Sequence, residues 1–336
     1  MTQSDHIPVL LDAVLESLTK APEGLIIDAT FGAGGYSEAV LRTTDRMVVA
    51  IDRDPDTQYH ADRLAAHYGD RFCFRPGRFA DIASLVTDIP MPIAAIMMDL
   101  GVSSMQLDQG ERGFSFQGEY PLDMRMGHEG VSAAQLIAQA SEAQLADILY
   151  YFGEERAARR VARVIVQKRK AASIVTTAQL ANVVRGAVPG QGGKIDKATR
   201  TFQAVRIAIN GELDELCACL CAASQLLTAG GILACVAFHS LEDRIVKHFL
   251  RYADAHRQSA TSARGQSVPQ DFVLGAGALR VSFLPLSDDY GTKFANISPM
   301  EMLTKRPIVA SLSERAHNVR ARSAKLRVAR RYGENR

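Results

Sequence analysis

The chain reads Asp-Ala-Thr-Phe-Gly-Ala-Gly-Gly-Tyr-Ser over residues 28–37, directly after the short apolar run Leu-Ile-Ile at 25–27. We call residues 28–37 the glycine turn. Glycines at such a point let the backbone turn tightly and approach a ligand without a side-chain clash. The helical segment that follows presents free backbone N–H groups at its start. The stretch therefore predicts a strand-to-helix turn that contacts a nucleotide-like ligand.

Three nucleotide-binding interpretations of the glycine turn compete. A phosphate loop requires Lys and Ser or Thr after the glycines, but Gly35 is followed by Tyr36, so this loop is excluded. The dinucleotide pattern G-x-G-x-x-G fits Gly32 and Gly34 but meets Ser37 at its third glycine position. A nucleoside with a charged, phosphate-free tail, such as S-adenosylmethionine, remains. An ordinary turn without a ligand also stays open.

Apolar runs and helical segments alternate on both sides of the glycine turn. The predicted strands cover residues 24–30, 46–52, 71–74, 93–99 and 232–238, with 281–284 and 324–328 as candidates for the last strands. This alternation is typical of an α/β fold whose parallel sheet is covered on both faces. Residues 132–206 are mostly helical, which predicts a helical insertion after the fourth strand. Residues 228–231 (Thr-Ala-Gly-Gly) are predicted to form a turn.

The composition indicates a folded chain without a membrane segment. Hydrophobic residues make up 47% of the 336 residues, and no apolar run approaches the ~20 residues that cross a bilayer. The N-terminus lacks the pattern of a secretory signal, so we expect a cytoplasmic protein. Cys217, Cys219 and Cys221 lie in a helical stretch, where residues two apart do not share a face, and we expect no metal site.

Positive charge is concentrated in two segments, although the net charge is only +2. Residues 154–206 hold 12 lysines and arginines against 3 acidic residues, and residues 305–336 hold 10 against 2. Solvated helix faces explain most charge runs, but two such segments also fit a binding site for a polyanion. The composition alone does not decide between these interpretations.

Polar residues follow the predicted strands where a parallel sheet binds its ligands. Asp52 ends the second strand, where a carboxylate accepts hydrogen bonds from ribose hydroxyls or caps the next helix. Asp99 and Ser103 follow the fourth strand. His239 follows the fifth and is a candidate proton acceptor, although a helix capped by Ser240 is an equally good interpretation.

Motifs along most of the chain resemble those of one family. Besides the glycine turn, they include A-I-D-R-D (50–54), D-L-G-V-S-S-M-Q-L-D (99–108), R-G-F-S-F (112–116), P-L-D-M-R-M (121–126), F-H-S-L-E-D-R (238–244) and R-A-R-S-A-K-L-R-V (320–328). In these motifs the chain resembles the bacterial small-subunit ribosomal RNA cytosine-N4 methyltransferases of the MraW type. The resemblance runs from His6 to Arg331.

The resemblance implies a Rossmann-like class I S-adenosylmethionine-dependent methyltransferase with an inserted all-helical domain. We place the first part of the core at 1–106, the insertion at 107–205 and the second part at 206–336. The implied substrate is a cytidine in the decoding region of 16S ribosomal RNA, within the small ribosomal subunit. The alternative is a non-catalytic RNA-binding or ribosome-assembly protein on the same fold.

The resemblance also implies which residues contact S-adenosylmethionine. They are Gly34, Gly35, Tyr36, Asp52, Phe79, Asp99 and Gln106. Tyr36 departs from the family, which usually has histidine there, so a contact made by an imidazole ring is in doubt. Transfer to the cytosine amine is expected to be direct and to require a proton acceptor, for which Ser103, Asp99, a backbone carbonyl and His239 are candidates.

Overall fold

The computed structural model describes residues 8–190, 195–254, 271–274, 279–283, 294 and 297–333. The chain forms two compact units. The first comprises residues 1–101, 215–264 and 287–336, and the second comprises residues 102–214 and 265–286. The domain boundaries inferred from the sequence stay predictions. Among the described residues, no helix combines the length and the apolarity needed to span a membrane.

The first unit holds a sheet and the helices that flank it. Its strands are β1 (Leu25–Asp28), β2 (Val48–Asp52), β3 (Phe72–Pro76), β4 (Ile93–Asp99), β5 (Leu227–Ala237), β8 (Met300–Met302), β9 (Ile308–Val309) and β10 (Lys325–Arg331). Its helices are α1 (Leu11–Leu18), α2 (Gly35–Thr43), α3 (Gln58–Tyr68), α4 (Ile82–Leu85), α11 (Glu212–Leu226, entered from the second unit), α12 (Ser240–Ala253) and α13 (Leu312–His317).

The strands pair in the order β3-β2-β1-β4-β5-β10-β8, and β9 also pairs with β10. Neighbours among β1 to β5 are parallel, whereas β10 is antiparallel to β5, β8 and β9. The strand order reverses at β1, which lies between β2 and β4. Ligands of open parallel sheets bind beyond the carboxyl ends of the strands at such a reversal. The predicted Rossmann-like α/β fold is confirmed.

The central strands are buried along their length. All four residues of β1 are buried, as are the first six residues of β4. Strands covered on both faces need apolar side chains at successive positions, rather than at every second one. This explains why these strands read as continuous apolar runs in the sequence.

Two details of the predicted strands are wrong. Residues 228–231 are not a separate turn, because β5 already begins at Leu227, which pairs with Ile93. The register then shifts, and Gly230, with φ of 80°, lies in this irregular part of the strand. The predicted strand at 281–284 is not part of the main sheet, since β7 ends at Val281 and Leu284 lies outside the described residues.

The second unit is mainly helical. It contains α5 (Ser104–Asp108), α6 (Ala133–Gln139), α7 (Glu142–Tyr151), α8 (Ala158–Ala171), α9 (Thr177–Ala187), α10 (Thr199–Asn210) and a two-stranded sheet of β6 (Phe272–Leu274) and β7 (Leu279–Val281). In the described part of this unit, four helices begin with Ser or Thr followed three residues later by Gln: α5, α6, α7 and α9. Each pair exchanges side-chain hydrogen bonds with backbone N–H groups, which fixes where the helix begins.

The start of β1 predicts a strong effect of one added methyl group. Gly24 has φ of +142°, and a Cβ there would lie 2.4 Å from the carbonyl oxygen of Pro92, which accepts the N–H of Leu25. We expect Gly24→Ala to lower the free energy of unfolding by about 3 kcal/mol or more, because the obstacle is backbone that cannot rotate away. The measurement is urea unfolding followed by circular dichroism.

Gly69→Ala is the matched control. Gly69 also has a positive φ, +55°, but a Cβ there meets no heavy atom within 4 Å. Its cost should be limited to backbone strain, about 1–3 kcal/mol. Equal losses in the two variants would contradict the proposed clash at Gly24.

Candidate functional site

Three aspartates end three adjacent strands of the sheet. Asp28 ends β1, Asp52 ends β2 and Asp99 ends β4. The register aligns Asp28 with Ala50 and with Met97, so Asp52 and Asp99 each lie two residues beyond it. The carboxyl edge therefore carries three acidic groups. Sequence analysis selected Asp52 and Asp99 but missed Asp28, although its position at a strand end is the same signal.

The glycine turn is hydrogen-bonded to β2. The Phe31 N–H donates to the carbonyl of Ile51 (3.0 Å), and the Gly32 N–H donates to Oδ2 of Asp52 (2.7 Å). Oδ1 of Asp52 accepts the N–H of Asp54 (2.9 Å). Asp52 thus fixes the turn on one side and the start of the following segment on the other. The alternative role of capping the next helix falls to Asp54, which accepts the N–H of Asp56.

The same turn is also tied to β1 and β4. The Thr30 N–H donates to Oδ1 of Asp28 (3.3 Å), and the hydroxyl of Ser37 donates to Oδ2 of Asp28 (2.7 Å). The hydroxyl of Thr30 accepts the N–H of Asp99 (2.6 Å). Asp28 is 1% exposed, so these donors are the ones that replace water around its carboxylate. The position of the glycine turn is therefore set by three strands together.

Gly34 and Gly35 allow the turn to run into α2. Gly34 is the residue before the helix and has φ of 82°. A Cβ on Gly34 would lie 2.7 Å from the ring of Phe31, and one on Gly35 would lie 2.5 Å from Cγ of Pro8. Both positions therefore require glycine, because Phe31 and Pro8 already fill the space that a Cβ would take. Their contact with the methyl donor stays a prediction.

Tyr36 has a structural contact of its own. Its side chain is buried, and its hydroxyl donates to the carbonyl of Val9 in the segment that precedes α1. Burial, together with the nearby Asp99, Asp28 and Glu314 carboxylates, raises the pKa of Tyr36 well above its usual value. The phenol stays protonated and keeps this hydrogen bond. The tyrosine thus anchors the N-terminal segment against the glycine turn.

The three aspartates have raised pKa values because their carboxyl groups lie deep in the fold, although by exposed area Asp28 is buried and Asp52 and Asp99 are half-buried. Burial raises the pKa of Asp28 to about 6 and that of Asp52 to about 6, against the hydrogen bonds that they accept. Burial, with the charges of Asp28 and Glu242, raises the pKa of Asp99 well above its usual value. The Oδ1 atom of Asp99 is buried and has no hydrogen-bond partner among the described residues. A buried oxygen of this kind calls for a donor from a ligand.

Phe79 follows β3, the strand that pairs with β2. It begins a short 3-10 helix (Phe79–Asp81) directly after β3. The N–H of Gly77 donates to the carbonyl of Asp52 (2.8 Å), which joins the turn after β3 to the end of β2. The contact of Phe79 with adenine stays a prediction.

Ser103 and Gln106 belong to the second unit, where they cap α5. The Ser103 hydroxyl accepts the N–H of Gln106 (3.2 Å), and the Gln106 side chain accepts the N–H of Ser103 (3.0 Å). Gln106 is 5% exposed. The role of Gln106 in closing the donor site and the role of Ser103 in accepting a proton stay predictions.

His239, rather than Ser240, is the residue that caps α12. Its Nδ1 accepts the N–H of Glu242 (3.3 Å), and the Glu242 carboxylate accepts the N–H groups of Phe238 (2.8 Å) and His239 (3.1 Å). Nε2 of His239 lies 3.0 Å from the other Glu242 oxygen, although the angle does not form a good hydrogen bond. The cap begins one residue before the predicted one because Glu242, not Asp243, closes the first turn.

Asp243 binds two cations of the C-terminal strand instead. Its carboxylate pairs with Nε of Arg327 (2.7 Å) and Nζ of Lys325 (3.0 Å). Burial works to raise the pKa of Asp243, but these two partners hold it below its usual value. Arg327 is 7% exposed. Although Arg327 lies in the basic segment 305–336, it is therefore unsuited to contact a polyanion, because it is buried and neutralised.

Comparisons with known proteins agree with this architecture. Residues 3–271 match the MraW methylase family. The chain is 47% identical over 323 residues to a protein named ribosomal RNA small subunit methyltransferase H from Beijerinckia indica, covering 96% of this chain and 84% of that protein. Proteins with the same name are 45% identical in Rhodopseudomonas palustris (97% and 90% covered) and 44% identical in Rhodospirillum rubrum (97% and 94%).

The raised pKa of Asp28 predicts a pH-dependent stability. The folded chain binds a proton at Asp28 more tightly than the unfolded chain, so its unfolding free energy falls as pH rises from about 4 through about 6. Asp28→Asn removes this effect and can keep both contacts, with Oδ1 accepting the Thr30 N–H and Nδ2 donating to the Ser37 hydroxyl. Relative to the variant, the unmodified chain should lose up to about 3 kcal/mol between pH 4 and pH 7.5. Urea unfolding at several pH values measures the difference.

Asp243→Asn provides a control of opposite sign. Because the pKa of Asp243 is lowered in the fold, its carboxylate stabilises the chain at neutral pH, and this stabilisation is lost as the pH falls. The difference in unfolding free energy between Asp243→Asn and the unmodified chain should therefore become smaller as the pH falls. A difference for Asp28→Asn that stays constant from pH 4 to pH 7.5 would contradict the assignment.

Proposed function

The chain belongs to the MraW methylase family, and we propose that it methylates the exocyclic N4 amine of a cytidine in the decoding region of 16S ribosomal RNA, with S-adenosylmethionine as donor. The observation that carries the proposal is the family match over residues 3–271, together with relatives named as small-subunit ribosomal RNA methyltransferases. With such a substrate, the protein would act in the cytoplasm on 16S ribosomal RNA within the small ribosomal subunit.

The carboxyl edge of the sheet fits the donor. S-adenosylmethionine supplies a methyl group made electrophilic by the attached sulfonium. Asp52 would hold the ribose hydroxyls, since each of its oxygens keeps a lone pair beyond the backbone N–H that it accepts. Gly34 and Gly35 would contact the donor through backbone atoms at the start of α2. Phe79 and Gln106 would complete the donor site.

The acceptor amine places separate demands on the chain. Its lone pair is delocalised into the cytosine ring, so the site has to orient the amine. As the N–C bond forms, the bond between the methyl carbon and sulfur breaks, S-adenosylhomocysteine leaves, and the site has to accept one proton of the amine. Asp99 is our choice among the candidates. Its buried Oδ1 has no partner among the described residues, and its raised pKa makes it a stronger base than an exposed aspartate.

Two of the other candidates, Ser103 and His239, already make contacts that cap a helix. The Ser103 hydroxyl accepts a backbone N–H in the cap of α5. Both ring nitrogens of His239 face the cap of α12, one accepting the Glu242 N–H and the other beside the Glu242 carboxylate. These contacts favour roles in shaping the site for Ser103 and His239.

One face of α8 supports contact with RNA phosphates. Arg156 (just before the helix), Arg160, Arg163 and Lys170 are exposed and follow each other at helical spacings. We call these four residues the α8 stripe. Arg163 lies 3.5 Å from Glu142, an exposed and therefore weak pair. Arg169 points elsewhere, since its guanidinium donates to the carbonyls of Ile137 and Ala140.

Methyl transfer is the direct test of the function. We expect the protein to transfer label from methyl-labelled S-adenosylmethionine to small ribosomal subunits, and nucleoside analysis to show N4-methylcytidine. Asp99→Asn should lower kcat by about 10²–10⁴-fold, the usual contribution of a proton-accepting group. Asp62→Asn, on the exposed face of α3, is the control and should keep full activity. The proposed function would be refuted if neither small ribosomal subunits nor naked 16S ribosomal RNA became labelled.

The α8 stripe predicts a salt-dependent RNA affinity. Arg160→Gln combined with Arg163→Gln removes two exposed cations, so the slope of log affinity against log salt should decrease by roughly 1.4–1.8. Binding of S-adenosylhomocysteine should not change. Arg63→Gln, an exposed arginine of the first unit, is the matched control. Filter binding to a 16S fragment at several salt concentrations is the measurement, and an unchanged slope would exclude the stripe from the RNA contact.

A further inference from the structure

A single buried carboxylate joins the two turns that precede α3 and α4. Glu215 lies in the second turn of α11, and its side chain is 5% exposed. Its Oε1 accepts Nη1 of Arg53 (2.8 Å) and Nε of Arg78 (2.6 Å), and Nη2 of Arg78 also contacts it. Two guanidinium groups from different turns thus meet on one oxygen of one helix.

The two arginines flank residues that we assign to the nucleoside half of the donor. Arg53 directly follows Asp52. Arg78 directly precedes Phe79, at the N-cap position of the 3-10 helix that Phe79 begins. The turns are neighbours, since Gly77 N–H donates to the carbonyl of Asp52. A contact that fixes both arginines therefore fixes the backbone that carries both Asp52 and Phe79.

We infer that Glu215 is a positioning residue for the adenosine part of the methyl donor, acting through Arg53 and Arg78 on the turns after β2 and β3. The inference rests on the proposed function, because the contacts of Asp52 with ribose and of Phe79 with adenine belong to it. Glu215 need not touch the donor. It holds the two contacting residues at a constant separation.

The charges explain why a carboxylate is needed there. Without Glu215, the Arg53 and Arg78 guanidinium groups lose the anion that they share. Charged hydrogen bonds from two guanidinium groups also restrict both turns more tightly than neutral ones. Arg53 is 23% exposed and Arg78 51% exposed, so water can hydrate both once they are released. Loss of Glu215 should therefore loosen the turns while the fold persists.

The test compares ligand binding with catalysis. For Glu215→Gln we expect the Kd of S-adenosylhomocysteine, measured by calorimetry, and the KM for S-adenosylmethionine to rise about tenfold. The kcat at saturating donor should stay within about twofold, since the residues around the acceptor amine are unchanged. Glu215→Asp, which retains the charge, should recover part of the affinity. A residue with a role in stability alone would lower the unfolding midpoint without this split.

Two further variants keep the test decisive. Arg78→Met removes one of the two guanidinium groups that Glu215 binds. Because the Arg78 side chain is 51% exposed, we expect the variant to fold. It should weaken binding of S-adenosylhomocysteine about threefold to fivefold. Asp88→Asn is the matched control, because it removes the exposed pair with Arg75 of β3 (2.7 Å) and should leave the Kd unchanged.

The outcomes separate this inference from the proposed function. Unmodified protein that binds S-adenosylhomocysteine, with Glu215→Gln and Arg78→Met binding equally well, would overturn the role of Glu215 and leave the proposed function intact. Unmodified protein that fails to bind S-adenosylhomocysteine would instead refute the proposed function. If Glu215→Gln does not fold, unchanged binding by Arg78→Met alone overturns the inference.

Discussion

Hydrogen bonds between the glycine turn and three strand ends hold the candidate site together. Gly32 donates to the Asp52 carboxylate, Thr30 donates to Asp28, and the Thr30 hydroxyl accepts the N–H of Asp99. Burying these carboxylates is costly, as their raised pKa values indicate. Backbone donors offset the cost for Asp28 and Asp52, whereas one oxygen of Asp99 keeps no partner among the described residues. The hydrogen bonds that build this edge of the sheet therefore leave the Asp99 Oδ1 atom available to a ligand.

Several polar side chains around this edge already have hydrogen-bond partners within the chain. The Tyr36 hydroxyl donates to Val9, and His239 accepts the N–H of Glu242. Both side chains shape the site through contacts within the chain. Glu215 acts one step further away, because it holds arginines next to residues that we assign to the donor. A site of this kind depends on supporting side chains as much as on those that touch the ligand.

The two basic segments differ in whether their arginines are exposed or paired with acidic residues. Arg160 and Arg163 are exposed on α8 and have at most a weak acidic neighbour among the contacts described here, so they suit a polyanion. Arg327 belongs to an equally basic segment, but β10 lies beside β5 and brings it to Asp243 of α12. Charge density along the sequence did not distinguish these cases, since the partner of Arg327 is 84 residues away in the chain.

The sequence by itself determined the succession of strands β1 to β5 along the chain, the glycine turn, the helical insertion and the family, but not the order in which the strands pair. Continuous apolar runs, glycine conformations and ordered motifs are local signals, and each needs only neighbouring residues to be recognised. Tertiary structure decided that Gly230 lies within β5, that His239 caps α12, and that Tyr36, Arg327 and Glu215 have structural partners. It also decided that Asp28 joins Asp52 and Asp99 at one edge. The reason is physical: burial, hydrogen-bond satisfaction and charge pairing depend on residues that only the folded chain brings together.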